Sequence, residues 1–314
     1  MTSSYDKMLV AEFHGRAVAD LLAASPAALK GVSAADAERL RAAFGIKTIR
    51  DLAENPFFHR ALAMLMGAGE TGFDPGPSLA WAEFLAAAPL AYYEQHPAGR
   101  FRLDFGPVYY RGRLDGSARV IVVGQDPSTN ELLAHRVLIG SSGQRVQGYL
   151  QKLGLTRSYV MVNAFLYSVF GQFDAALRAI SLEAPILDFR NAWLDRLAAE
   201  NNIQAIIATG NGARHAVEHW PGSNAFPVFH ITHPAALDEA ALLASWNASL
   251  PDLLAVVGPD DDGQPDPAPY GQSFQPGDMA PIPPHDLPFG VPSWQGVGSH
   301  SQRDGNKKII WTAP

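Results

Sequence analysis

The chain has 314 residues, 47% of them hydrophobic and 18% charged, with a formal net charge of −7 and no cysteine. This composition suits a folded protein of one large or two modest domains, and the lack of cysteine excludes disulfides, thiolate-held zinc, iron–sulfur clusters and a cysteine nucleophile. No apolar run reaches the roughly 18 residues of a membrane span and no basic-then-apolar leader is visible, so we expect no membrane partner and a cytoplasmic location.

Residues 1–75 read as a helical module. Ser33 is placed to cap a helix that ends at Gly45, and a second short helix begins at Thr48. The pattern Gly31-Val32-Ser33 through Phe44-Gly45-Ile46-Lys47-Thr48-Ile49 resembles a helix-hairpin-helix unit, which grips DNA backbone through amides at a helix start; the same pattern also packs helical protein–protein modules. A Pro/Gly turn follows at 71–78. Residues 78–93 return to helix, with Trp81, Phe84 and Leu85 on one face as core.

From residue 76 to 257 strands and helices alternate. The spacing predicts strands at 120–123, 159–163, 203–209 and 227–232, and helices at 146–153, 185–201, 212–219 and 240–257. Alternation of this kind implies an α/β fold: three αβα layers around a four-stranded parallel sheet. Beyond residue 258 prolines, glycines and aspartates accumulate and apolar periodicity stops. Residues 258–314 therefore read as an acidic irregular tail, solvated by default, with Tyr270, Phe274, Phe289, Trp294 and Trp311 as points where it docks. Charge is segregated along the chain: residues 100–157 hold nine basic side chains against four acidic ones. A surface of that sign suits nucleic acid, and an acidic tail could occupy it.

Three predicted strands end in residues foreign to an apolar strand. Gly124-Gln125-Asp126-Pro127 follows the first, Asn163 closes the second and His233-Pro234 follows the fourth. In a parallel sheet these ends share one rim, where ligands bind. A carboxylate, an amide and an imidazole on that rim suit acid–base or electrostatic catalysis on a polar ring. Taken singly, each also fits a turn or a cap. A separate signal, His215-Ala216-Val217-Glu218-His219, matches the inverted zinc-protease motif, and a zinc hydrolase using His215 and His219 is one alternative reading.

Gly124-Gln125-Asp126-Pro127, Val160-Met161-Val162-Asn163-Ala164-Phe165-Leu166 and His233-Pro234-Ala235-Ala236-Leu237, in that order, resemble the uracil-DNA glycosylase superfamily over residues 100–257. The resemblance implies hydrolysis of the N-glycosidic bond of uracil in DNA, without metal or cofactor, by a monomer acting on DNA that holds uracil or an abasic site. It makes Asp126 the stabiliser of the sugar cation and His233 that of the departing base, with Asn163 reading the base edge and Gln125 shaping the pocket. Leu237 becomes the wedge that enters the duplex. Departures from the best-known branch are informative. Ser128 stands where an aromatic ring excludes the thymine methyl. Leu138 and Ile139 occupy the segment of the stacking phenylalanine, with Phe165 or Tyr167 as other stacking candidates. Ala235 replaces a phosphate-gripping serine, which leaves Ser141, Ser142, Gly210 and Arg136 as DNA contacts. Residues 136–144 resemble branches carrying an iron–sulfur cluster, which the lack of cysteine excludes. A protein that binds abasic or damaged DNA with weak turnover is the second alternative, and deaminated purines are further candidate bases.

Overall fold

The computed structural model describes residues 8–58, 60–61, 72–291, 300–303 and 309–312. Trp294 lies outside the described residues, as does the side chain of Trp311. The chain forms two compact units, Met1–Gly72 and Phe73–Pro314.

The first unit holds α1 (Val18–Ala23), α2 (Ala34–Phe44) and α3 (Ile49–Ala53), and a small core of Leu9, Leu21 and Ala28 closed by Phe13 and Ile49. Ser33 and Asp36 cap α2 reciprocally, Thr48 and Asp51 cap α3, and Gly45 ends α2 at φ 71°. These are the local signals the sequence carries. The amides of Lys47 and Thr48 both donate to Asp51 Oδ2 at 2.9 Å. The protein's own carboxylate thus takes up these two amides.

The second unit opens with α4 (Leu79–Ala86) and α5 (Leu90–Glu94). The single helix expected over 78–93 is broken at Pro89, which cannot continue the α4 hydrogen-bond ladder. Next come β1 (Phe101–Arg102), β2 (Tyr110–Gly112), β3 (Val120–Gly124), α6 (Thr129–Ala134), α7 (Ser141–Lys152), β4 (Tyr159–Asn163) and β5 (Ser168–Val169). After α8 (Ala175–Ile180) and α9 (Ala184–Glu200), β6 (Ala205–Thr209) and α10 (Gly210–Glu218) lead to β7 (Val228–Ile231) and α11 (Glu239–Val256). The four expected strands are present and mutually parallel, in the order β4-β3-β6-β7. A fifth strand, β2, adds to β4 antiparallel, so the sheet is mixed rather than purely parallel. Its charge hid it from the sequence reading: Arg111 at its centre is wholly buried and ion-paired.

Every residue of β3 is buried. Ile121, Val123, Val160, Val162 and Ile206 face α9 and α10, whereas Val120, Val122, Met161 and Ile207 face α7 and α11. Helices on both faces explain why the strands read as unbroken apolar runs, and each such side chain removed from water contributes about 1.5–3 kcal/mol.

Residues 258–291 do not stand free in solvent. The Asp260 carboxylate accepts the amides of Thr156, Arg157 and Ser158. Lys152 pairs with Asp266 at 2.5 Å. Tyr270 is buried, stacked on Tyr149, and its backbone exchanges two hydrogen bonds with the Asn247 side chain. Asp286 has no exposed surface and meets Arg113 at 2.5 Å, Arg111 at 3.3 Å and the Tyr159 hydroxyl at 2.8 Å. Four of the nine basic residues of 100–157 therefore belong to the docking surface of the tail. Arg111, Arg113, Arg119 and Lys152 all pair with tail aspartates. Composition suggested a solvated tail because the segment cannot fold alone; it folds instead onto a partner of opposite charge.

Candidate active site at the carboxyl rim of the sheet

β3 and β4 end together, with Gly124 opposite Asn163. Gly124 is needed at this point because a Cβ there would run into Asn163 Oδ1. Pairing continues past the strand ends, Ala164 N–H donating to the Gly124 carbonyl and Phe165 N–H to the Gln125 carbonyl, each at 2.9 Å. This fixes the backbone that presents Asp126. The Asp126 carboxylate accepts the Gln125 side-chain amide on Oδ1 and the Val169 backbone N–H on Oδ2, each at 2.9 Å. Val169 belongs to β5, which pairs antiparallel with β1 in a sheet of two strands. That small sheet aims an amide at the carboxylate and helps hold it in one orientation. Asn163 is buried, and among the described residues its Nδ2 has no hydrogen-bond partner. A buried amide donor in that state costs about 1–3 kcal/mol unless a ligand takes it up.

On the other side of β3, the Thr209 hydroxyl donates to the Val123 carbonyl, and Gly210 begins α10 at φ 83°. A Cβ on Gly210 would lie 2.8 Å from the His233 Cβ, and one on Gly212 would lie 2.5 Å from the Gln125 Cγ. Glycine at both positions lets the start of α10 close against Gln125 and His233. The structure thus brings Gln125, Asp126, Asn163, Gly210 and His233 onto one rim.

His233 Nδ1 accepts the Ala235 N–H at 3.1 Å. In the neutral ring the proton then sits on Nε2, where it can be donated to a ligand. Burial pushes the His233 pKa below its ordinary value, which favours that neutral form. His233 lines an open cavity of about 420 Å³ together with Gly210, Asn211, Arg214, His230 and Ser245. Asp126 and Asn163 are not part of that lining, so this cavity adjoins the rim on the histidine side. Four residues beyond His233, Leu237 is completely exposed.

The second loop of the rim is tied down by Glu131. This buried carboxylate accepts the Ser128 N–H at 2.7 Å and the Leu138 N–H at 2.8 Å. Ser128 is the N-cap of α6, which accounts for a small polar residue at the place of an expected aromatic ring. Leu138 is buried with φ 54°, a left-handed conformation that costs a branched side chain about 1–2 kcal/mol. Its carbonyl lies so close to Gly143 that no side chain fits there, which seats the loop on the first turn of α7. Ser141 and Ser142 open that helix, Ser141 exposed and Ser142 partly so.

Other expected residues are placed differently. Arg136, expected on DNA, donates to Asp74 Oδ2 at 2.6 Å and lies over the Tyr110 ring, so its charge is already paired inside the fold. Phe165 and Tyr167, the alternative stacking rings, are buried against Phe101 and Tyr93. His215 Nε2 donates to the Arg178 carbonyl at 3.3 Å and His219 Nδ1 to the His215 carbonyl at 2.8 Å. Among the described residues no cluster of three or more His, Cys, Asp or Glu side chains is arranged to hold a metal, so the zinc-hydrolase reading has no third ligand there.

Sequence reading missed Arg214 and Arg178. They line a groove of about 300 Å³ that shares Asn211 and Arg214 with the cavity beside His233. Among the described residues, Arg214 forms its ion pair with Glu218 on its own helix at 2.7 Å, both side chains being exposed. Such an exposed pair is worth little. For Arg214 the signal available was position: a cation on the helix that starts at the sheet rim.

Fold and rim together define a doubly wound α/β domain whose polar groups gather at the carboxyl ends of parallel strands. Residues 112–250 match the family model of the Uracil DNA glycosylase superfamily, which supports membership of the matched region in that superfamily. The match points to DNA glycosylase chemistry, the superfamily being one that acts on DNA. No curated protein matches the chain. Among the described residues no helix is long and apolar enough to cross a membrane.

Proposed function

We propose that this protein excises uracil from DNA by hydrolysing the bond between C1′ of the sugar and N1 of the base. The observation that carries the reading is the buried, unpartnered Asn163 amide on the same rim as the Asp126 carboxylate and the His233 imidazole. An extruded uracil offers O4 and N3–H to such an amide. As the C1′–N1 bond breaks, its electron pair moves onto the base and charge gathers on O2. The Nε2–H of neutral His233 donates there, while the Asp126 carboxylate faces the cationic sugar and orients the water that adds to C1′. Leu237 fills the stack the base has left. Leu138 replaces an aromatic ring in this reading, and Ser128 leaves the thymine methyl unopposed by a ring. Arg214 and Arg178, rather than Arg136, meet the DNA backbone.

The test is a duplex carrying one uracil, incubated with the protein and a chelator and scored for alkali-sensitive breaks, beside a duplex with a mismatched thymine. Breaks are expected at uracil, and Asp126→Asn should slow them by about 10²–10⁴-fold while leaving DNA affinity within a few-fold. Breaks that persist unchanged in Asp126→Asn would remove Asp126 from the mechanism. A stable complex without breaks would replace the enzyme with a lesion-binding protein.

A further inference from the structure

The backbone of His233 is held on both sides by side chains from the helices beneath it. Trp246 Nε1 donates to the Thr232 carbonyl at 2.9 Å, and Arg145 Nη1 donates to the Pro234 carbonyl at 2.7 Å. Arg145 also reaches Glu239 in the first turn of α11 at 3.1 Å, just past the loop that carries Leu237. Both anchors meet one further residue. The Phe274 ring lies 4.3 Å beneath the Arg145 guanidinium and 5.6 Å from the Trp246 ring, edge to face. Phe274 comes from the tail, and its own place is fixed on either side. Upstream, Tyr270 is bound to Asn247; downstream, Ala280 N–H donates to the Gln144 carbonyl at 3.0 Å, with the backbone at Asp278 pressed against Gly148.

We propose that Phe274 is a positioning residue for the His233–Leu237 loop. The tail supplies the wall against which Arg145 and Trp246 are set, and through their hydrogen bonds it fixes the direction of the His233 ring. A loop carrying a base-contacting imidazole and a wedge has to be placed to a fraction of an ångström, and misplacement by about 1 Å can cost 10²-fold in rate. The inference rests on the reading that His233 and Leu237 act on DNA, but the brace itself is observable without DNA.

The experiment uses full-length Phe274→Ala, Phe274→Tyr and Arg145→Met. It follows hydrogen exchange of the Ala235 amide, the 15N tautomer signature of His233, thermal melting and single-turnover excision of uracil from a duplex. Phe274→Ala and Arg145→Met should raise Ala235 exchange and blur the His233 tautomer signal, and lower the excision rate roughly 10- to 100-fold. Phe274→Tyr, which keeps the ring, should restore all three. Wild-type exchange and tautomer signals in both Phe274→Ala and Arg145→Met would overturn the brace. So would a loss in Phe274→Ala that scales with melting throughout the domain while Arg145→Met stays wild-type. If no variant, wild type included, excises uracil, the proposed activity fails, and the exchange and tautomer signals still decide the brace.

Discussion

At the scale of single residues, the proposed site depends on one proton kept on His233 Nε2. The ring's Nδ1 is occupied by the Ala235 amide, and burial disfavours the imidazolium. Because the folded-state pKa is depressed below the ordinary 6.5, the neutral ring's contribution to stability is fully present above about pH 6.5 and is lost as the pH falls through the folded value. In the proposed reaction the same neutral form supplies the Nε2–H donated to the base. Single-turnover excision should therefore be flat from neutral pH down to about 6.5 and fall only at lower pH, and His233→Gln should lack any limb due to imidazole titration. A wild-type rate already halved at pH 7 would contradict a depressed His233. Gly124 and Gly210 show the same dependence on single atoms, since each leaves room for Asn163 or His233 where a methyl group would displace it.

Among elements, the 232–238 loop and the tail pull in opposite directions. Leu237 contributes no packing, so Leu237→Ala should shift stability by no more than about 0.5 kcal/mol. It should slow excision from duplex DNA at least tenfold while leaving single-stranded substrate nearly unaffected, because only a duplex needs the vacated stack filled. Equal loss on both substrates would reject the wedge. The tail behaves as part of the core. Asp286→Ala leaves Arg111 and Arg113 buried without their carboxylate and should cost about 3–5 kcal/mol in urea unfolding. A change below 1 kcal/mol would mean that the tail is only laid on the surface.

On the scale of the whole molecule, net charge of −7 and a DNA substrate are reconciled by where the cations go. Most of the basic stretch faces inward to tail or domain carboxylates, through Asp286, Asp260, Asp266, Asp74 and Glu239. DNA affinity should then rest on few phosphate contacts and show a shallow salt dependence. Arg214→Ala should weaken binding evenly across sequences and reduce the salt slope by about 1, whereas Arg136→Ala should act on stability and leave the slope unchanged. The reverse pattern would return Arg136 to the DNA interface.

What could be read from the chain alone was local. Val120 to Val123 announced a buried strand, Gly124 and Pro127 its abrupt end, and the polar groups that follow Gly124, close β4 and follow β7 announced a rim, because strand period, turn chemistry and the carboxyl-end rule act over a few residues. The same locality made the caps at Ser33, Thr48 and Gly45 legible. Decisions between distant segments were invisible. β2 could not be recognised as a strand while its central arginine lacked the aspartate, 175 residues further on, that makes its burial tolerable. For the same reason the tail read as solvated, Arg136 as a DNA contact and Phe165 as a stacking ring. In each case composition told what a side chain prefers in water, and only the tertiary structure settled which partner replaces the water.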